Sequence, residues 1–334
     1  MANEPTNQAN TFIYKFIMVI LIFIGMFLAS LLFGAADTTM KDIWLSMTTN
    51  ETSAAILVIR DIRLPREIAA VFVGAALAIS GAIMQGITRN PLADPGLLGL
   101  TAGANAMLAI TIVFFPSVNY FGIMIACFIG ACIGTVMVFS IGASKRGGLS
   151  PFRIVLAGAA VSAFLYAIEQ GIGIYFKVSK NVSMWTAGGL IGTTWAQLKV
   201  ILPFIIVGMI ISIFLARQVT ILSLNEEVAI GLGQQIAVIK TILFVVIIML
   251  AGTAVALVGN IAFIGLMIPH IVRAIVGTDY RAIIPMAAIV GATFMLFADT
   301  VARTINAPFE TPIIAIVAIV GLPFFLFIVR KGGK

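Results

Sequence analysis

Apolar runs of about twenty residues, separated by short charged or Gly/Pro-containing stretches, recur along the whole chain. Residues 16–36, 68–88 and 311–329 contain no Asp, Glu, Lys or Arg, and the run 95–144 is long enough for two passes, divided at Pro116 and Asn119. Crossing roughly 30 Å of hydrocarbon at about 1.5 Å per residue takes about 20 residues of helix. The pattern therefore predicts membrane-spanning helices near 12–33, 67–87, 96–115, 120–143, 151–176, 196–216, 238–258, 260–276, 282–302 and 311–330. A segment at 182–190 is too short to span. Ala29, Gly34 and Ala36 give the first run some likeness to a cleaved secretory signal, but it is longer than the usual apolar region and lacks a basic start, so it reads as a span.

Composition agrees: 61% of the 334 residues are hydrophobic and 10% charged, where soluble domains carry about 25% charged residues. The net charge of +7 is scattered over short loops, which fits membrane orientation and gives no nucleic-acid-binding tract. Ten passes put both termini on one side, and placing them in the cytoplasm gathers Lys145, Arg146, Arg217, Lys240 and Arg330 in inner loops. Arg60, Arg63 and Arg66 are a clustered exception on the other side. Cys127 and Cys132 project about 140° apart on one helix, which disfavours a bridge.

At an offset of 178, residues 74–99 align with 252–277 with seven identities, among them Gly81/Gly259 and Pro91/Pro269. With the second span running inward and the seventh outward, this predicts an inverted repeat, with interrupted helices lining a cavity. The small residues of GAALAISGA at 74–82 predict close helix packing.

Several polar positions invite a role. In the longest inner loop, SLNEEVAIGLGQQ at 223–235, Ser223 and Glu226 fit a capping box, Glu226 and Glu227 suit a helix start, and Gly231 or Gly233 can end the helix. That short helix is a linker or a docking element for a cytoplasmic motor. Arg63 and Arg66, in RLPR, anchor to lipid headgroups or receive an acidic partner. Asp299 and Arg303, spaced i,i+4, are expected to pair. Glu169, late in the fifth span, is a pathway acid or snorkels outward. His270 lacks neighbouring ligands and reads as structural. The chain has no phosphate-binding GxxxxGK[ST] loop, HExxH or GxSxG, so neither ATP hydrolysis nor membrane protease or esterase chemistry is expected of it, and no cofactor or metal.

RLPREIAAVFVGAALAISGAIMQGITRNPLADPGLLGLTAGA at 63–104, GNIAFIGLMIPHIVRAIVGTDYRAIIP at 259–285, and ETPIIAIVAIVGLPFFL at 310–326 resemble the FecCD family of importer permeases. The resemblance covers nearly the whole chain. It implies an all-α polytopic permease of about ten spans, the type II fold of ATP-binding-cassette importers, forming one domain over residues 1–334 of a bacterial plasma-membrane protein. It also implies a second permease subunit, identical or paralogous, two cytoplasmic ATPase subunits and an extracytoplasmic substrate-binding protein. The loop 222–236, with Ser223, Glu226, Glu227, Ala229, Gly231 and Gly233, would couple to the ATPase. Arg63, Arg66 and Arg303 would face acidic residues of the binding protein, and the fifth and tenth spans would line the pathway, whereas Arg60 and Glu169 match no family position. VGTDYR at 276–281 and INAPFETP at 305–312 look most like ferric-siderophore permeases, with haem and cobalamin as alternatives. An ion-coupled carrier is the alternative from another class. It would need intramembrane acids, for which Glu169 and Asp299 are the candidates.

Overall fold

The structure, a computed structural model, describes residues 4–34, 38–142, 151–186, 189–224, 226–307 and 309–332. Lys145 and Arg146, which helped to set the expected orientation, lie outside them. Helix α1 (Glu4–Leu32) is followed by the short α2 (Met40–Thr48) and α3 (Ala54–Leu57), then by a π-helical turn, Val58–Arg63, leading into α4 (Leu64–Thr88). A 3-10 turn at Pro95–Leu98 precedes α5 (Leu100–Phe114), α6 (Tyr120–Gly142), α7 (Pro151–Tyr175), α8 (Ser179–Thr186) and α9 (Trp195–Phe214). The chain continues through α10 (Ala216–Leu224), α11 (Glu226–Gly231), α12 (Ile236–Val258), α13 (Ile264–Val276), α14 (Tyr280–Thr304) and α15 (Ile313–Gly332). Among the described residues seven helical stretches are long and apolar enough to cross a membrane, and the shorter apolar helices α5, α13 and α15 fall where the other three passes are expected.

Helix boundaries follow local chemistry. Pro65 sits in the first turn of α4, where its missing N–H costs no hydrogen bond. Thr194 and Gln197 close a reciprocal capping box on α9, as Thr39 and Asp42 do on α2. Gly259, at φ 76°, stops α12 in a conformation that residues with a Cβ adopt rarely.

Helix α4 is the buried axis. A Cβ at Gly74 would lie 2.3 Å from the carbonyl oxygen of Gly291 in α14, and one at Gly81 would lie 1.8 Å from that of Gly265 in α13. These bare backbones let three helices cross in contact, as the small-residue spacing predicts. Arg66 meets Asp299 near one end of the α4–α14 pair and Gly86 meets Tyr280 near the other, so the two helices are antiparallel.

The order of a long helix, a break, a short helix and two further helices occurs twice, from α4 to α7 and from α12 to α15. Arg66, near the start of α4, pairs with Glu310, just ahead of α15. The last carbonyl of α12, Val258, accepts from the N–H of Gly189, which abuts Ile313 at the start of α15. Helix α4 thus begins on the face where α12 ends, and the halves are inverted. The pairing at an offset of 178 does not follow the structure, because it sets Gly81 in mid-helix against Gly259 at a helix end. Small residues recur in both halves for packing, and their spacing alone does not fix the register.

Both breaks meet at the depth of the middle of α4. Asp94, Gly96 and Thr101 from one side and Asn260, Ala262 and Gly265 from the other line a cavity of about 210 Å³, so interrupted backbone does border a cavity. Asp94 accepts from the N–H of Gly96 at 2.7 Å and so starts the turn that returns the chain into α5.

Candidate functional sites at the two ends of the bundle

At the face where α4 starts, the π-helical turn and the first turn of α4 bring Arg63, Arg66 and Glu67 together, and the last turns of α14 add Asp299 and Arg303. Glu310 closes the group from the segment ahead of α15. Arg66 uses two edges of its guanidinium. Nε and Nη2 donate to the carboxylate of Asp299 at 2.8–3.1 Å, and Nη1 and Nη2 donate to the two oxygens of Glu310 at 2.8 and 3.0 Å. Arg303 pairs with Glu67, donates to the carbonyl of Ser30 at 2.7 Å, and lies 3.5 Å from Asp299, which is the expected i,i+4 pair. Arg63 donates to the carbonyls of Leu31 and Leu32 and to the hydroxyl of Thr38, satisfying groups left open where α1 ends.

Three cations and three anions thus balance. Arg63, Arg66 and Arg303 are only 4, 6 and 5% exposed, so they do not stand as three outward-facing guanidinium groups. A buried guanidinium without a counter-ion is costly, and Glu67 and Asp299, both fully buried, supply the compensation from within the chain. Glu310, with a side chain 32% exposed, is the most accessible of the three acids in this cluster. It sits on the Nη1/Nη2 edge of Arg66, beside the edge taken by Asp299. Glu67 and Glu310 carry no role in the sequence reading, although an acid directly after Arg66 inside an apolar helix was a visible signal. Arg60 turns aside and donates to the carbonyls of Ser46 and Thr49, stapling α2 to the π-helical turn.

At the opposite face, α9 gives way at Leu215 to α10, which carries α11. Ser223 does not cap a helix start. It lies within α10, and its hydroxyl donates to the carbonyl of Thr220 at 2.7 Å, so it does not stand at the N-cap position that a capping box requires. Glu227 is exposed on α11, and the Glu226 side chain lies outside the described residues. Gly233, at φ 77°, ends the segment, with the N–H of Gln234 reaching back to Ala229 at 2.9 Å. Ala229 is buried as part of the hydrophobic core, whereas Leu224, Val228, Ile230 and Leu232 are exposed. A Cβ at Gly231 would meet nothing within 4 Å.

This arm is tied to α14. The Thr220 hydroxyl accepts from the N–H of Tyr280 at 2.9 Å and contacts Asp279 at 3.1 Å. Asp279 in turn accepts from the Arg281 side chain at 2.7 Å, which holds its carboxyl below the usual carboxylate range.

The remaining candidates stay apart from both sites. Glu169 turns inward instead of snorkelling: it is 7% exposed, bonded to the Asn105 side chain, with Oε2 unpartnered among the described residues. His270 stands edge-on to Phe324 of α15 at 5.8 Å, as a packing residue does. Among the described residues no group of His, Cys, Asp and Glu is arranged to hold a metal, and both cysteines are free.

Residues 20–331 match the FecCD transport family. This chain belongs to that family. The iron(3+)-hydroxamate import system permease protein FhuB of Bacillus subtilis is 44% identical over 312 residues, covering 93% of this chain and 81% of FhuB. The Fe(3+)-citrate import system permease protein YfmD of the same organism is 36% identical over 99% of both chains. A solved inward-facing structure of an ABC transporter of metal-chelate type superposes with a TM-score of 0.83 at 27% identity, covering 94% of this chain and 98% of that one. Like these relatives, the FecCD chain is a multi-pass membrane permease and a transport subunit.

Proposed function

We propose that this FecCD chain is the permease of an importer for iron(III)-siderophore complexes, driven by a separate ATPase on the α10–α11 face and fed by a binding protein on the face bearing the arginines. The observation that carries the reading is the α10–α11 arm. It presents unpartnered apolar side chains and an exposed acid, yet it is fastened through Thr220 to α14, so a push on it reaches the spans. The hydroxamate and citrate permeases among its relatives support the substrate class. The excess of Lys and Arg in the loops of the arm's face supports a cytoplasmic position for it and for both termini. A second permease chain, two ATPase subunits and one binding protein complete the assembly. Because ATP closes the motor subunits against the arm, the paired permeases rock about the path between them.

On the opposite face we assign the landing of the binding protein chiefly to the edge of Arg66 that Glu310 covers. Arg63 and Arg303 hold the surrounding backbone and carboxylates in place. Glu169, buried against α5, is a structural neighbour of the pathway in this reading.

The test is Gly231→Trp together with Glu227→Lys. A Cβ at Gly231 meets nothing within 4 Å and Glu227 is exposed, so the chain should fold and insert while losing the ATPase in pull-down and losing ATP-dependent uptake of a ferric hydroxamate. Normal ATPase capture by the doubly substituted chain would return the arm to a plain linker. Uptake that survived loss of the ATPase and stopped with a proton uncoupler would favour the ion-coupled carrier.

A further inference from the structure

The geometry points to a carboxylate-exchange site at Arg66, in which Glu310 occupies the fork of the guanidinium in the resting chain and a carboxylate of the binding protein takes its place on docking. This rests on the proposed landing of the binding protein on that face.

The two edges of Arg66 differ. The Nε/Nη2 edge is committed to Asp299, which is fully buried and also faces Arg303. The Nη1/Nη2 edge forms a fork-to-fork pair with Glu310, the geometry any external carboxylate would use. Glu310 belongs to the segment between α14 and α15, where Ile305, Phe309 and Glu310 are all exposed. Beyond it the N–H of Thr311 donates to the carbonyl of Ala302 at 2.9 Å, and Ile313 is buried at the start of α15. Glu310 therefore fastens an otherwise exposed bridge to the charged cluster by its side chain, just before a firm backbone anchor. An incoming carboxylate keeps Arg66 paired throughout, so the exchange leaves no buried cation uncompensated. It releases Phe309 and Glu310 while Thr311 holds the start of α15. The buried arginine is thus consistent with a docking role: the site is already filled by the chain's own acid.

The experiment uses the assembled complex in nanodiscs with its binding protein. Glu310→Gln removes the competing charge at a surface position. Docking should tighten by about two- to fivefold, the worth of an exposed ion pair, with most of the change at low salt. A spin label at Phe309→Cys, which is 73% exposed, paired with one at Glu51→Cys, should report a lengthened distance when the binding protein is added. A labelled complex retaining normal uptake serves for this measurement. Unchanged or weaker docking by Glu310→Gln, or an unmoved Phe309 label on a docked complex, overturns the exchange while leaving the landing intact. Docking by the wild-type complex that ignores both salt and charge reversal of the binding protein's acids overturns the landing itself, and the exchange with it.

Discussion

Replacing Asp299 by Asn removes one of three negative charges from the arginine cluster without changing its shape. Asp299 is fully buried, accepts three contacts from Arg66 at 2.8–3.1 Å and lies 3.5 Å from Arg303, so two guanidinium groups lose the same partner. Glu310 still faces Arg66 and Glu67 still faces Arg303, which leaves one excess buried positive charge. Breaking a buried pair from one side costs about 3–5 kcal/mol, whereas an exposed pair is worth about 0–1 kcal/mol. Asp299→Asn should therefore destabilise the chain severely, and Glu310→Gln, on a side chain 32% exposed, should barely do so. Replacing both members of the pair, Glu67→Leu with Arg303→Met, removes opposite charges together and should recover most of the loss of either single change. Unfolding in mixed micelles, followed by tryptophan fluorescence, measures all of these. Equal losses for Asp299→Asn and Glu310→Gln would refute the claim that burial and charge balance govern this site. By the same argument, reversing Arg66 or Arg303 to Glu should cripple folding before docking is ever tested, unlike a change at a landing patch that merely borders solvent.

Two more predictions concern packing and coupling. Gly81→Ala places a methyl where the carbonyl of Gly265 now stands, 1.8 Å away, and should cost about 1–3 kcal/mol and abolish uptake, while Gly25→Ala, with nothing within 4 Å, should be silent in the same unfolding assay. Thr220→Val and Asp279→Asn should each uncouple ATP hydrolysis from transport at neutral pH, read as uptake per ATP consumed. Because Arg281 holds the folded Asp279 carboxyl low, its contribution is present above the unfolded value of about 3.9 and is lost as pH falls through the lower folded value, so wild-type coupling should stay flat from pH 5 to 8.

The spans were legible because lipid leaves helices few options: uncharged runs such as 68–88 and 311–329 can satisfy their backbone only internally. The Asp299–Arg303 pair was legible too, since one helix fixes its geometry. Contacts between distant segments were not. Nothing local to Arg66 tells that Asp299 and Glu310 arrive 233 and 244 residues later to cover it, so its side chain reads from sequence as facing outward. Ser223 misled for a related reason: its spacing to Glu226 suits a cap, but α10 already runs through it, so the helix start falls elsewhere. The inverted repeat was legible as a tendency and not as a register, because Gly and Ala satisfy close packing at many alignments.

The separation of Arg66 from its acids also bears on how the chain is made. At roughly 5–20 residues per second, Asp299 leaves the ribosome about 12–47 s after Arg66, being 233 residues further along. Throughout that interval α4 has entered the bilayer with Arg66 and Glu67 near its end, and neither has met its final partner. The nascent helix must keep this end at the headgroup level, where water and phosphate can solvate the two charges, and sink only when α14 inserts beside it. A ribosome stalled before α14 should therefore yield a protein whose α4 end reacts with water-soluble probes that the finished permease excludes.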